Sequence, residues 1–135
     1  MSTFNQTIKK FANASKLEIE IVDERFVYLT ILNGRLSTLG VGMLDQQYIE
    51  FRIPLSSDFN TLIEMPAQVS MYFMSRNIPI QIGHWSIDYG QLSHTYFYAL
   101  RFVTMLSSLN QQRFEKIIYS LEEEFKLYAK MVSGG

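Results

Sequence analysis

Phe4, Ile8 and Phe11 recur at spacings of four and three, with Ala12 beside them, so the chain opens on an amphipathic helix. Thr3, followed three residues later by Gln6, has the form of a capping box and predicts the helix start. So short a helix needs tertiary packing to persist. The period then changes to two. Leu17, Ile19 and Ile21 alternate with Glu18 and Glu20, the pattern of a half-exposed strand. Phe26 to Leu32 is rich in β-branched and aromatic residues and predicts a more deeply buried strand. Asn33-Gly34 is a strong hairpin signal, because both turn positions need positive φ. Arg35 to Leu44 returns as a strand, and Asp45-Gln46 turns the chain again. Gln47 to Leu55 alternates most cleanly: Ile49, Phe51 and Ile53 on one side, Tyr48, Glu50 and Arg52 on the other. Pro54 and Ser56-Ser57-Asp58 are expected to end this run.

A short turn from Phe59 to Glu64 leads to a helix that starts near Pro66, where a missing N–H costs nothing, and ends near Asn77, ahead of Pro79. Two strands follow, Ile80 to Ile87 and Gln91 to Val103, joined by a three-residue loop at Asp88-Tyr89-Gly90. The apolar parity switches at Gly83, which predicts a β-bulge there and leaves the core face of this hairpin open. Asn110 caps the last helix, whose apolar residues are Phe114, Ile117, Ile118, Leu121, Phe125, Tyr128 and Val132. Glu122 and Lys126 form an i,i+4 pair on its wet side. The order is α-β-β-β-β-α-β-β-α. Two hairpins require antiparallel neighbours, so the fold class is α+β, an antiparallel sheet with helices packed on one face. No repeat, linker or low-complexity segment divides residues 1–135, and a single domain is expected, with 132–135 as a flexible tail.

Composition sharpens this. At 135 residues, 47% hydrophobic and 19% charged, the chain is globular rather than disordered. Lys plus Arg is 12 and Asp plus Glu is 13, a net charge of −1, without the basic surplus that phosphate neutralisation demands. A nucleic-acid partner is not expected. With no Cys, disulfides, thiolate metal sites and Cys nucleophiles are excluded. No run approaches the ~18 apolar residues of a membrane span. Met1-Ser2-Thr3-Phe4-Asn5-Gln6 lacks the pattern of a signal peptide, and the expected location is the cytoplasm.

Candidate chemistry is sparse. His84 and Asp88 lie four apart on one strand, about 13 Å at ordinary strand rise, too far for a direct pair. With a loop at Asp88 to Gly90, Ile87 pairs with Gln91 and His84 falls opposite His94, their Cβ atoms ~5 Å apart. Two imidazoles make a metal site only with a third or fourth ligand, and none stands at a recognised spacing. An incidental cross-strand pair is the better reading. Gly34, Gly40 and Gly42 match no phosphate loop, and no Ser sits in a GxSxG elbow. Tyr28, Tyr48, Tyr96 and Tyr98 imitate an RNA-stacking sheet, but the basic pattern that accompanies one is missing. No catalytic, cofactor-binding or metal-ligating residue is assigned.

The middle helix has a second apolar face. On a helical wheel Val69, Tyr72 and Phe73 form one face, and Ala67, Met71 and Met74 another, with Gln68 and Ser75 between them on one side and Ser70 and Asn77 on the other. The first can cover the sheet. The second needs a flanking helix or a protein partner, and Met serves either as core filler or as an adaptable contact.

The run Asn77-Ile78-Pro79-Ile80-Gln81-Ile82-Gly83-His84-Trp85-Ser86-Ile87-Asp88 resembles the YbjN-like family of small bacterial proteins, whose fold is akin to that of type III secretion chaperones. Gly90 and Leu109-Asn110-Gln111-Gln112 are similar too, and the likeness spans about residues 16 to 132. These are turn and packing signals. The resemblance implies a non-enzymatic role: family members are described as regulators or are uncharacterised, and the secretion chaperones bind client polypeptides and commonly dimerise. It carries no catalytic residue over. The expected function is a protein-binding module with an unidentified client or a second copy as partner. The alternative is a small-ligand binder or enzyme with a pocket between sheet and helices.

Overall fold

The computed structural model describes residues 1–31, 38–78 and 80–132, the side chains of 56, 57 and 128–132 excepted. Its elements are α1 (Thr3–Ala14), β1 (Glu18–Asp23), β2 (Phe26–Thr30), β3 (Thr38–Met43), β4 (Tyr48–Phe59), α2 (Ala67–Arg76), β5 (His84–Gly90), β6 (Thr95–Met105) and α3 (Gln111–Val132). Three-residue 3-10 turns stand at Leu62–Glu64 and Leu106–Ser108. The strands form one open sheet in the order β1-β2-β3-β4-β6-β5. The pairs β1–β2, β2–β3 and β5–β6 are antiparallel. The fold is α+β, as the pattern predicts. The residues group into two compact units, Arg52–Phe102 and the remainder, Met1–Phe51 with Val103–Gly135.

In the larger unit α1 begins one residue earlier than its sequence signal. Ser2, not Thr3, is the cap: its Oγ accepts the Asn5 N–H, and the Asn5 Oδ1 accepts the Ser2 N–H. Asn5 is fully buried yet satisfied, because its Nδ2 donates to the Asp23 carbonyl at 3.1 Å. Phe4, Ile8, Phe11 and Ala12 bury the expected stripe. Phe11 stacks on Phe114 of α3 with centroids 5.5 Å apart, and Phe51 of β4 meets the same ring at 6.2 Å. Val27, Leu29, Leu39, Val41 and Ile49 supply the sheet side of this core, and Ile117, Ile118 and Leu121 the rest of α3. Asn110 caps α3 as predicted, its Oδ1 accepting the Arg113 N–H at 2.8 Å. Lys126 reaches Glu122 at 4.0 Å but bonds more closely to Glu123, at 2.9 Å.

β1 is an edge strand. Its pairing with β2 slips between Ile21 and Asp23, and both Ile21 and Val22 are exposed. The Asn33-Gly34 turn lies outside the described residues; the strands on either side pair antiparallel, Thr30 opposite Thr38. β4 departs from expectation. It continues through Pro54 and Ser56-Ser57-Asp58 to Phe59, twelve residues against the six of β3.

In the smaller unit α2 runs close to the predicted bounds. Pro66 is its cap and gives no side-chain bond. Phe73 is its one buried residue and stacks on Trp85 at 4.2 Å, with Tyr98 edge-on at 4.9 Å. Tyr98 is anchored in turn, its hydroxyl 2.6 Å from the Ser70 Oγ. Asn77 closes the helix and clamps the next strand: its Nδ2 donates to the Trp85 carbonyl at 2.9 Å, and its Oδ1 accepts the Trp85 N–H at 2.6 Å. The predicted bulge at Gly83 is replaced by a left-handed residue, φ 103°, just before β5 begins. Ile80 and Ile82 therefore precede the strand, which accounts for the change of parity.

The β5–β6 hairpin has a different register from the predicted one. Asp88, Tyr89 and Gly90 are strand residues, Gly90 pairs with Thr95, and the loop is Gln91 to His94. Tyr89 packs on Tyr96 at 5.0 Å, and each carboxylate oxygen of Asp88 has an arginine partner, contacts that a turn at these positions would forfeit. A Cβ at Gly90 would meet the Ser93 Oγ, so a larger residue here would require that exposed hydroxyl to turn aside. Trp85, Tyr98 and Leu100 are buried, so the open question of the core face is answered by the side that carries them.

Candidate functional site

The histidines do not come together. His84 lies opposite Arg101, while His94 sits in the loop with φ 56°, its Nδ1 3.2 Å from the Tyr89 hydroxyl. The register shift separates them, because the strands pair on past the residues where a turn was expected. Among the described residues, no three His, Cys, Asp or Glu side chains are grouped to hold a metal.

Asp88 is held by ion pairs. The Arg52 Nη2 lies 2.9 Å from its Oδ2 and the Arg101 Nη1 3.3 Å from its Oδ1, and the Ser86 Oγ donates to Oδ1 at 3.0 Å. The Arg52 guanidinium also sits over the Phe97 ring at 5.5 Å. Neither arginine was legible as a partner, since β4 is remote in sequence from Asp88 and the expected hairpin placed Asp88 in its loop rather than opposite β6. Asp88→Asn keeps the shape and removes the charge. Because both guanidinium groups are about one-third exposed, the expected loss is only about 1–2 kcal/mol. Urea unfolding of the variant at low and high salt measures it, and the difference from wild type should shrink as salt rises.

The tyrosines divide. Tyr28 and Tyr48 are exposed on the sheet, Tyr96 is half-buried against Tyr89, and Tyr98 lies in the core beneath α2. No set of four rings faces solvent together.

α2 presents two sides, as the wheel predicts. Phe73 is buried and Val69 half-buried, but Tyr72 is exposed at the margin, so the inner face is narrower than the pattern indicates. The outer side is open: Ala67 is exposed, Met71 is 71% exposed and Met74 39%. The Met74 Sδ lies 4.0 Å from the Asn77 Nδ2, beside the Trp85 clamp. Two further aliphatic side chains flank the helix, Ile63 in the preceding 3-10 turn, 95% exposed, and Ile78 just past the C-cap, 88% exposed. Neither belongs to α2, so a wheel drawn on the helix alone misses both. Arg76, in the last turn, is the only charged residue within α2.

No helix among the described residues is long and apolar enough to cross a membrane. No family model matches the chain, and no curated protein matches it in sequence.

Proposed function

We propose that this protein is a non-enzymatic, protein-binding module, chaperone-like or regulatory, that meets its partner through the outer side of α2. The observation that carries this reading is the apolar set Ala67, Met71 and Met74, open to solvent and flanked by Ile63 and Ile78. Single exposed apolar side chains are ordinary, whereas several on and beside one helix mark an interaction surface. The flexible Met thioether suits an irregular partner. The YbjN-like kinship, the placing of the helices on one face as in type III secretion chaperones, and a cytoplasmic site of action belong to the same proposal. The order of elements supports it.

The partner is a client polypeptide or a second copy.

The test is Met71→Glu combined with Met74→Glu. An interface of standard size buries about 800 Å² per partner, and two carboxylates at its centre would be left unpaired. Light scattering over a range of concentrations should show the wild type associating and the double variant monomeric, with an unchanged circular dichroism spectrum because both side chains are exposed. A wild type that stays monomeric, together with extract captures that are identical for both proteins, would overturn the proposal.

A further inference from the structure

The larger unit contains a recess of about 520 Å³, lined by Thr3, Thr7, Gln46, Gln47, Met105, Leu106 and Ser107. That volume lies within the range of small-molecule sites, roughly 300–1,000 Å³. Its three walls are the start of α1, the turn between β3 and β4, and the 3-10 turn after β6.

Each wall is fixed by bonds that leave the lining side chains unused. The start of α1 is tied down by the Ser2 Oγ, which donates to the Glu24 carbonyl at 2.8 Å, and by the buried Asn5. The turn is held by the Asp45 Oδ1, which accepts the N–H groups of Gln47 and Tyr48, both at 2.7 Å. Those two backbone donors, Tyr48 first and then Gln47, hold the Asp45 carboxyl below its ordinary pKa. The Leu106 N–H donates to the Gln47 carbonyl at 2.8 Å and joins the second wall to the third. The Ser108 Oγ donates to the Met105 carbonyl at 2.7 Å and braces the third. Among the described residues, the side chains of Thr3, Thr7, Gln46, Gln47 and Ser107 bond to no other protein group. The backbone frame is set and the hydrogen-bonding side chains on it are spare, so a ligand has to order those side chains but not the walls that carry them.

The lining selects the ligand. None of the seven residues is charged, so a phosphate or carboxylate would surrender its hydration without a countercharge. Each carboxamide of Gln46 and Gln47 carries both a donor and an acceptor, which matches another amide. Met105 and Leu106 add an aliphatic wall, and no aromatic ring is present for a sugar face to stack on. We propose that this recess binds a small uncharged amide with an aliphatic side group. The site is independent of the α2 surface.

The probe is N-acetyl-leucinamide, titrated into the ¹⁵N-labelled full chain at neutral pH. Saturable shifts are expected at the amides of Thr3, Thr7, Gln46, Gln47 and Ser107, with no comparable response to N-acetyl-leucine, which carries a carboxylate, or to glucose. Thr7→Val and Gln46→Ala should each weaken binding about five-fold, the effect of one net hydrogen bond. Gln46 is exposed in a turn, so its variant tests the site even if Thr7→Val disturbs α1. Shifts that fail to saturate, an equal response to N-acetyl-leucine, glucose binding at the same residues, or a Gln46→Ala variant with wild-type affinity would each overturn the proposal.

Discussion

Phe73→Ala is expected to destabilise the protein by about 3–5 kcal/mol, the usual cost of emptying a large aromatic site in a core. Phe73 is fully buried between Trp85 and Tyr98, and it is the only residue of α2 that is buried. Its loss therefore does two things. It leaves a cavity beside two rings that have little freedom to close it, and it removes the anchor of a ten-residue helix whose cap, Pro66, gives no side-chain bond. A helix of that length does not hold together in water without tertiary packing. Trp85 is the one tryptophan in the chain, so its emission reports on this site alone. Urea unfolding followed through Trp85 should show a lower midpoint, and the folded baseline should shift to the red. A loss below about 1 kcal/mol with unchanged emission would mean that the ring does not carry the helix.

Asn77→Ala should cost about 1–3 kcal/mol, more than an ordinary exchange at the end of a helix. Asn77 gives both halves of its carboxamide to one residue, donating to the Trp85 carbonyl and accepting the Trp85 N–H. β5 lies at the edge of the sheet, so no further strand is there to satisfy these groups. Truncation takes both of these bonds from a buried residue, where losing a hydrogen bond costs more than it does in water. Hydrogen exchange separates this from general loosening. The Trp85 amide should exchange much faster in the variant, while amides of β2 and β3 should keep their protection under conditions where global unfolding is rare. Equal acceleration throughout would show that Asn77 acts only through overall stability.

How far the sequence carried these features depended on how local their causes are. The stripes of α1 and α3 and the Asn110 cap follow from neighbours a few residues apart, and they were legible. So was the double-sided character of α2, because a wheel needs only the helix. The cap of α1 fell one residue early because Ser2 and Asn5 bond not only to each other but also to the carbonyls of Glu24 and Asp23, at the far end of β1. The hairpin register failed for the same kind of reason. Asp88-Tyr89-Gly90 has the composition of a turn, but Arg52, Arg101 and Tyr96 hold it in a strand, and with the register went the expected meeting of His84 and His94. Pro54 and the serines after it look like the end of a strand until β3 is seen to be half as long as β4. The recess escaped notice because its three walls come from three separate stretches of chain and its lining carries no charge or motif.

The edge formed by β1 bears on how copies of this protein can accumulate. A straight, apolar edge is a template for endless strand addition. Here Glu18, Glu20 and Asp23 stud the strand, and the slip between Ile21 and Asp23 breaks the ladder that an incoming strand would have to match. Strand-to-strand growth, which has no natural stopping point, is thereby disfavoured at this end of the sheet. The pairing proposed for the α2 face would instead close about a two-fold axis, each surface being consumed as the pair forms. Fibres that grow through the β1 edge are therefore not expected in concentrated solutions.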